Sequence, residues 1–266
     1  MWRVLLAVLI VLAARSASAQ LPVPVPAPVD PRLGCDTAPV SPIPDLGEPM
    51  NIDVFKKQLT YYRCTSYEGD VARVLDAAQK WVAARAAQVA LPLKPAIVLD
   101  IDETSLSNWP RIFQDDFAYV RNGSCDLKTG DPCGDLDWEQ SGAALALQPT
   151  LKFYKAARCI DAPAPCTPID VFFITGRGEM ARYNETSRDW TLRNLRTAGY
   201  ADIASDHLYM RADLNGTVSN FKTSKRVDIE SKGFVVIANI GDQRSDLAGG
   251  HAEMTFKIPN PFYFLP

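Results

Sequence analysis

Apolar residues recur along the chain in two rhythms, and each predicts a different kind of element. Between Ser66 and Ala90 they fall at Val71, Val74, Leu75, Ala78, Trp81 and Val82. Steps of three and four place these on one face of a packed helix. The segment Ile52 to Tyr62 before it is predicted helical as well. After Pro92 short apolar runs take over, predicting strands at Ala96 to Ile101, Val171 to Ile174, Leu208 to Met210, Phe234 to Ile240 and Thr255 to Ile258. Helical periods separate them at roughly Pro149 to Arg158, Met180 to Ala198 and Thr223 to Lys232. Gly199 and Gly233 suit the left-handed position just past the ends of the last two. Such alternation predicts an α/β domain with a largely parallel sheet flanked by helices. Between Leu106 and Gln148 the rhythm breaks. That stretch holds Trp109, Phe113, Phe117, Tyr119, Trp138 and a loop bounded by Cys125 and Cys133, and reads as a small, mostly helical insert or cap beside the sheet.

Two segments precede this pattern. Arg3, the apolar run Val4 to Ala14 and the small residues Ala17-Ser18-Ala19 read as a signal peptide cleaved near Ala19, which predicts export to a periplasm or exterior. The run is too short to serve as a membrane anchor, which takes about twenty apolar residues in a helix. From Leu21 to Pro49 there are nine prolines, predicting an extended leader or linker. The expected organisation is therefore 1–19 signal, 20–50 leader and 51–266 folded domain. Within the domain, N-terminal helices occupy 51–92, the core 93–105 and 149–266, and the insert 106–148.

Composition narrows the partners. Hydrophobic residues make up 47% and charged residues 22% of 266, an ordinary globular mix that excludes a disordered or collagen-like chain. With 28 Lys+Arg against 31 Asp+Glu the formal charge is -3, and no basic run tracks a face or tail. A nucleic-acid polymer is excluded as partner, as is stable membrane insertion. A homo-oligomer is compatible with the sequence. Six cysteines in an exported chain point to disulfides rather than zinc, since no C-x-x-C spacing occurs and the two histidines are isolated. Of the 15 ways to pair them, the local one is expected: Cys125 with Cys133, Cys159 with Cys166, and Cys35 with Cys64.

The chemistry sits where strands stop. The run Ala96-Ile97-Val98-Leu99 ends at Asp100 and Asp102, and Val171 to Ile174 ends at Thr175-Gly176-Arg177. Phe234 to Ile240 ends at Gly241-Asp242, with Asp246 four residues on. Each motif alone is weak, because D-x-D pairs and T-G-R triplets are common in turns. Three of them at strand ends in one parallel sheet is a different matter, since ligands of such sheets bind at that edge.

In combination these motifs resemble the haloacid-dehalogenase superfamily. The resemblance lies with its secreted acid phosphatases, the bacterial class B and C enzymes and the plant vegetative storage proteins. Asp100-Ile101-Asp102-Glu103-Thr104 is similar to the first motif, Thr175-Gly176-Arg177 to the second, Phe221-Lys222-Thr223-Ser224-Lys225-Arg226 to the third and Gly241-Asp242-Gln243-Arg244-Ser245-Asp246 to the fourth. The resemblance runs from about Asn51 to the C-terminus. It implies a Rossmann-like core and hydrolysis of a small-molecule phosphate monoester through an aspartyl-phosphate. Asp100 would be the nucleophile and Asp102 the acid and base. Thr175, Gly176 and Lys222 would bind the phosphoryl group, with Lys225 a rival for the lysine role and Arg177 and Arg226 weaker candidates. A magnesium ion would be held by Asp100, Asp102 through its backbone carbonyl, and Asp242, with Asp246 in support. A non-catalytic storage protein on the same fold, or a phosphotransferase or nucleotidase variant of the chemistry, are the alternatives. The insert's aromatic rings read either as a stacking surface for a flat substrate or, more ordinarily, as the insert's own core.

Overall fold

The structure is a computed structural model, and it describes residues 29–35 and 50–265. The expected signal segment and most of the leader lie outside the described residues. Two helices open the domain, α1 (Ile52–Thr65) and α2 (Tyr67–Ala86). Asn51 starts the first, its side chain accepting from the amides of Asp53 and Val54. The chain then enters β1 (Lys94–Leu99) and leaves it for the insert. There β2 (Leu106–Ser107) pairs antiparallel with β3 (Leu145–Ala146), closing a loop that carries the short helices α3 (Trp109–Gln114) and α4 (Asp135–Ser141). After α5 (Gln148–Ala157) come β4 (Asp170–Gly178), a small antiparallel hairpin of β5 (Ala181–Arg182) and β6 (Glu185–Thr186), and α6 (Ser187–Thr197). The remainder is β7 (Leu208–Arg211), α7 (Val218–Ser231), β8 (Phe234–Gly241), α8 (Arg244–Leu247) and β9 (Thr255–Lys257).

Five strands form one sheet in the order β7-β4-β1-β8-β9, every neighbouring pair parallel. The central strand is buried on both faces, which is why it reads as a continuous apolar run. Its side chains alternate. Ile97 and Leu99 join the larger core with α2, α5, α6 and the insert, while Ala96 and Val98 meet Phe172, Ile174, Val236 and Ile229 of α7 on the opposite face.

The five expected strands are present, within a few residues at each end. Two helix starts differ. The stretch from Met180 does not continue the helical period. Residues 181–186 form the hairpin instead, turning at Tyr183 and Asn184 in the left-handed region. Thr186 and Asp189 then make a reciprocal capping box that fixes the start of α6 at Ser187. In the other direction, α7 begins at Val218 rather than Thr223, because the Thr217 side chain caps it by accepting from the Asn220 amide. Gly199 and Gly233 do take positive φ, +106° and +86°.

All six cysteines are paired as expected: Cys35–Cys64, Cys125–Cys133 and Cys159–Cys166. The first ties residues 29–35 to α1, and the same arm docks on α3, where the Trp109 indole donates to the Leu33 carbonyl at 2.8 Å. Among the described residues no helix is long and apolar enough to cross a membrane.

Candidate active site

The strand registers bring the motifs to one edge. Leu99 pairs with Phe173 of β4 on one side and Ile240 of β8 on the other, so β1 and β8 finish nearly level while β4 runs on to Gly178. Asp100 follows β1 at once, its amide still on the Ile240 carbonyl at 3.0 Å. Thr175 lies in the last part of β4, and Asp242 directly follows β8. Lys222 comes from the second turn of α7 and Asp246 from α8. Residues widely spaced in sequence thus lie buried at one end of the sheet.

At its centre Lys222 donates to the carboxylates of Asp100 and Asp246, the latter at 2.7 Å. Carboxylate oxygens of Asp100, Asp242 and Asp246 all lie within 4.8 Å of one another, and all three residues are buried. Three acids against one ammonium leave excess negative charge out of water. Burial, with Asp246 beside it, raises Asp242 to about 6, and burial pushes Asp100 well above the usual carboxylate range even though Lys222 opposes the shift. Lys222 is driven the other way from its own burial: the two carboxylates raise it above an ordinary lysine. Hard oxygen donors in this crowded, under-neutralised set fit a divalent cation of the magnesium type.

Asp242 is aimed by three donors: the Thr104 hydroxyl at 3.0 Å, the Gln243 amide at 2.7 Å and the Asn260 amide at 2.7 Å. Asp246 accepts from the Gln243 backbone at 2.7 Å. Gly241 makes room for it, since a Cβ there would come 2.4 Å from the Asp246 Cβ. Arg226 bonds no carboxylate. Its guanidinium binds the carbonyls of Asp246, Ala248 and Gly250 and so pins the loop carrying Asp246. Lys225 is out of the site, over the rings of Tyr209 and Phe221.

Asp102 is held apart from the acidic trio. Arg177 grips its carboxylate with Nη2 at 2.7 Å and Nε at 3.0 Å, and the Asn108 amide donates to the same group at 2.8 Å. Burial alone would raise this carboxyl, but Arg177 and these hydrogen bonds outweigh it and hold Asp102 at about 2. Thr175 is fully buried and accepts from the Arg177 amide at 3.1 Å.

Comparison with known proteins fixes what this arrangement belongs to. The family description "HAD superfamily, subfamily IIIB (Acid phosphatase)" matches residues 50–266. The chain belongs to that family. Its enzyme class is accordingly phosphomonoesterase. It is 30% identical over 200 residues to acid phosphatase 1 of Solanum lycopersicum, covering 75% of this chain and 69% of that one. It is 28% identical over 173 residues to vegetative storage protein 2 of Arabidopsis thaliana, covering 64% of this chain and 56% of the relative. The class C acid phosphatase from Bacillus anthracis shares its fold, with a TM-score of 0.57 at 23% identity over 79% of this chain and 86% of that one.

Sequence reasoning missed several residues of this HAD acid phosphatase's pocket. Thr104, Gln243 and Asn260 aim Asp242, while Asn108 and Glu139 join the Asp102–Arg177 group, Glu139 lying 3.6 Å from Arg177. Asn260 reaches Asp242 from the C-terminal segment after β9. The insert's tryptophans are core residues: Trp109 and Trp138 are each 1% exposed, and Trp109 packs on Phe113, Phe117 and Phe262.

Proposed function

We propose that this HAD acid phosphatase is an exported, magnesium-dependent enzyme that hydrolyses small-molecule phosphate monoesters through an aspartyl-phosphate on Asp100. One observation carries the reading: a buried nucleophile candidate, Asp100, shares a pocket with a lysine and two further acids, while a second carboxylate, Asp102, is held separately two residues on. Attack by the Asp100 carboxylate on phosphorus forms the acyl-phosphate bond as the ester P–O bond breaks, dividing one displacement into two. Arg177 holds Asp102 ionised in the free protein, so the proton it gives to the departing alkoxide is first taken up from the phosphate monoester monoanion as that substrate binds. In the second half it takes a proton from water, whose hydroxyl attacks phosphorus and returns Asp100 and phosphate, so protons balance over the cycle. Lys222, the Thr175 hydroxyl and the Gly176 amide bind the phosphoryl oxygens and offset charge built up in transfer.

The cation would be held by Asp100, Asp242, the backbone carbonyl of Asp102 and, in support, Asp246; when bound it supplies the charge neutralisation that lets a carboxylate approach a phosphate dianion. Three disulfides fit the oxidising compartment that cleavage near Ala19 would lead to.

A storage role is the second reading, favoured by the Arabidopsis relative's name. Asp100, Asp102, Lys222 and Asp242 standing together supports catalysis over it. Burial of Trp109 and Trp138 removes both from use as a stacking platform for a nucleobase. The test is phosphate release from a panel of nucleotides, sugar phosphates and aryl phosphates by the mature protein. Activity abolished by chelator and restored by Mg2+ is expected; silence across the panel with added Mg2+ favours storage.

A further inference from the structure

The insert reaches Asp102 directly. Asn108, at its entry, donates from Nδ2 to Asp102 Oδ1 at 2.8 Å, and its own Oδ1 accepts from the Trp138 indole N–H at 2.8 Å. An indole nitrogen can only donate. It therefore fixes which end of the Asn108 amide faces Asp102: the oxygen must turn to Trp138 and the NH2 to the carboxylate. The Asn108 backbone is anchored too, its amide donating to Glu103 Oε1 at 2.6 Å. Asn108 at 3% exposure and Trp138 at 1% are closed from water, so solvent cannot replace the bond between them, while the Asp102 side chain keeps 25% exposure on its open side. Arg177 grips the same carboxylate from β4. Asp102 is thus clamped between the core and the insert.

We propose that Asn108, oriented by Trp138, is a positioning residue for the proton transfer at Asp102, and that the insert builds part of the acid–base apparatus. This rests on Asp102 being the proton donor. An aimed acid matters most where the leaving group needs its proton. An alkoxide departs poorly without one, whereas p-nitrophenolate departs readily unprotonated. General acid catalysis contributes about 10²–10⁴-fold where it is needed. A misdirected Asp102 must therefore cost alkyl esters far more than activated aryl esters, and must act on kcat rather than KM.

The experiment measures kcat and KM of the Mg2+-loaded enzyme across a series from p-nitrophenyl phosphate through less activated aryl phosphates to alkyl phosphates. Variants are Asn108→Ala, Trp138→Phe, Asp102→Asn and the double variant Asp102→Asn with Asn108→Ala, with thermal melting recorded for each. Asn108→Ala is expected to lower kcat on the alkyl esters at least about tenfold more than on p-nitrophenyl phosphate. KM should move less than about twofold, because phosphate binding lies elsewhere. Trp138→Phe, which keeps a ring and loses the N–H, should steepen the dependence in the same sense by less. In the double variant, Asn108→Ala should add no steepening to that of Asp102→Asn, as required of a residue acting through Asp102.

A uniform loss across the series in Asn108→Ala and Trp138→Phe, with Asp102→Asn still steep, overturns the positioning role and leaves the acid reading intact. A parallel loss in Asp102→Asn overturns the acid reading, and this inference falls with it. If Asn108→Ala melts below assay temperature, Trp138→Phe decides between the same outcomes.

Discussion

Glu139 has surroundings that ill suit a carboxylate. It is buried on α4, and among the described residues its ion-pair partner is Arg177, already committed to Asp102. Burial, only partly opposed by Arg177, raises it to about 8. Such a group stabilises the fold while protonated, fully so below its unfolded value near 4.5, and that contribution is lost as pH rises through the folded value. The Glu139→Gln variant has no such proton to lose. With chelator present, wild type should therefore lose Tm relative to Glu139→Gln as pH rises from 5 to 8. Melting curves of the two proteins against pH check this, and parallel pH profiles would show that Glu139 is not held protonated. The neighbouring Asp102, held at about 2, is ionised throughout that range and contributes nothing to the difference.

At the scale of elements, the fourth motif works because a four-residue helix lies hard against the strand before it. Asp246, on α8, reaches back to the Gln243 amide and forward to Lys222, and this approach passes over Gly241 with no space for a side chain. Gly241→Ala should push α8 outward, costing about 1–3 kcal/mol as an overpacked contact. It should also weaken Mg2+ binding by roughly tenfold or more, equivalent to about 1.4 kcal/mol. Calorimetric titration of Mg2+ into both proteins reads the second effect, and unchanged affinity would mean Asp246 takes no part in holding the ion. Elements such as β1 and β8 were legible because strands buried on both faces must be apolar throughout. The hairpin at 181–186 was not legible. Met180 to Arg182 continue an acceptable helical pattern, and only the left-handed turn at Tyr183 and Asn184 together with the Thr186–Asp189 box reveals the interruption. The early start of α7 depends likewise on a single hydroxyl, Thr217.

Over the whole molecule, the residues at strand ends were legible as a candidate site because parallel topology delivers them to a common edge whatever their sequence separation, with α7 and α8 adding Lys222 and Asp246. Asp100, Thr175, Lys222, Asp242 and Asp246 are all brought there. What the chain did not announce is the layer that aims them. Asn108, Trp138, Glu139 and Asn260 carry no motif of their own, and their roles arise from contacts with residues distant in sequence. The Cys35–Cys64 disulfide ties the arm at 29–35 to α1, and the Trp109–Leu33 bond ties it to α3 of the insert. The central claim is that Asp100 carries the phosphoryl group. Acid quench during turnover of a phosphate monoester, followed by peptide mass spectrometry, should find a phosphoryl adduct on the peptide containing Asp100. Asp100→Asn should show no adduct and at least about a 10³-fold fall in kcat, with its circular-dichroism spectrum unchanged. Turnover by Asp100→Asn at the wild-type rate would contradict the account.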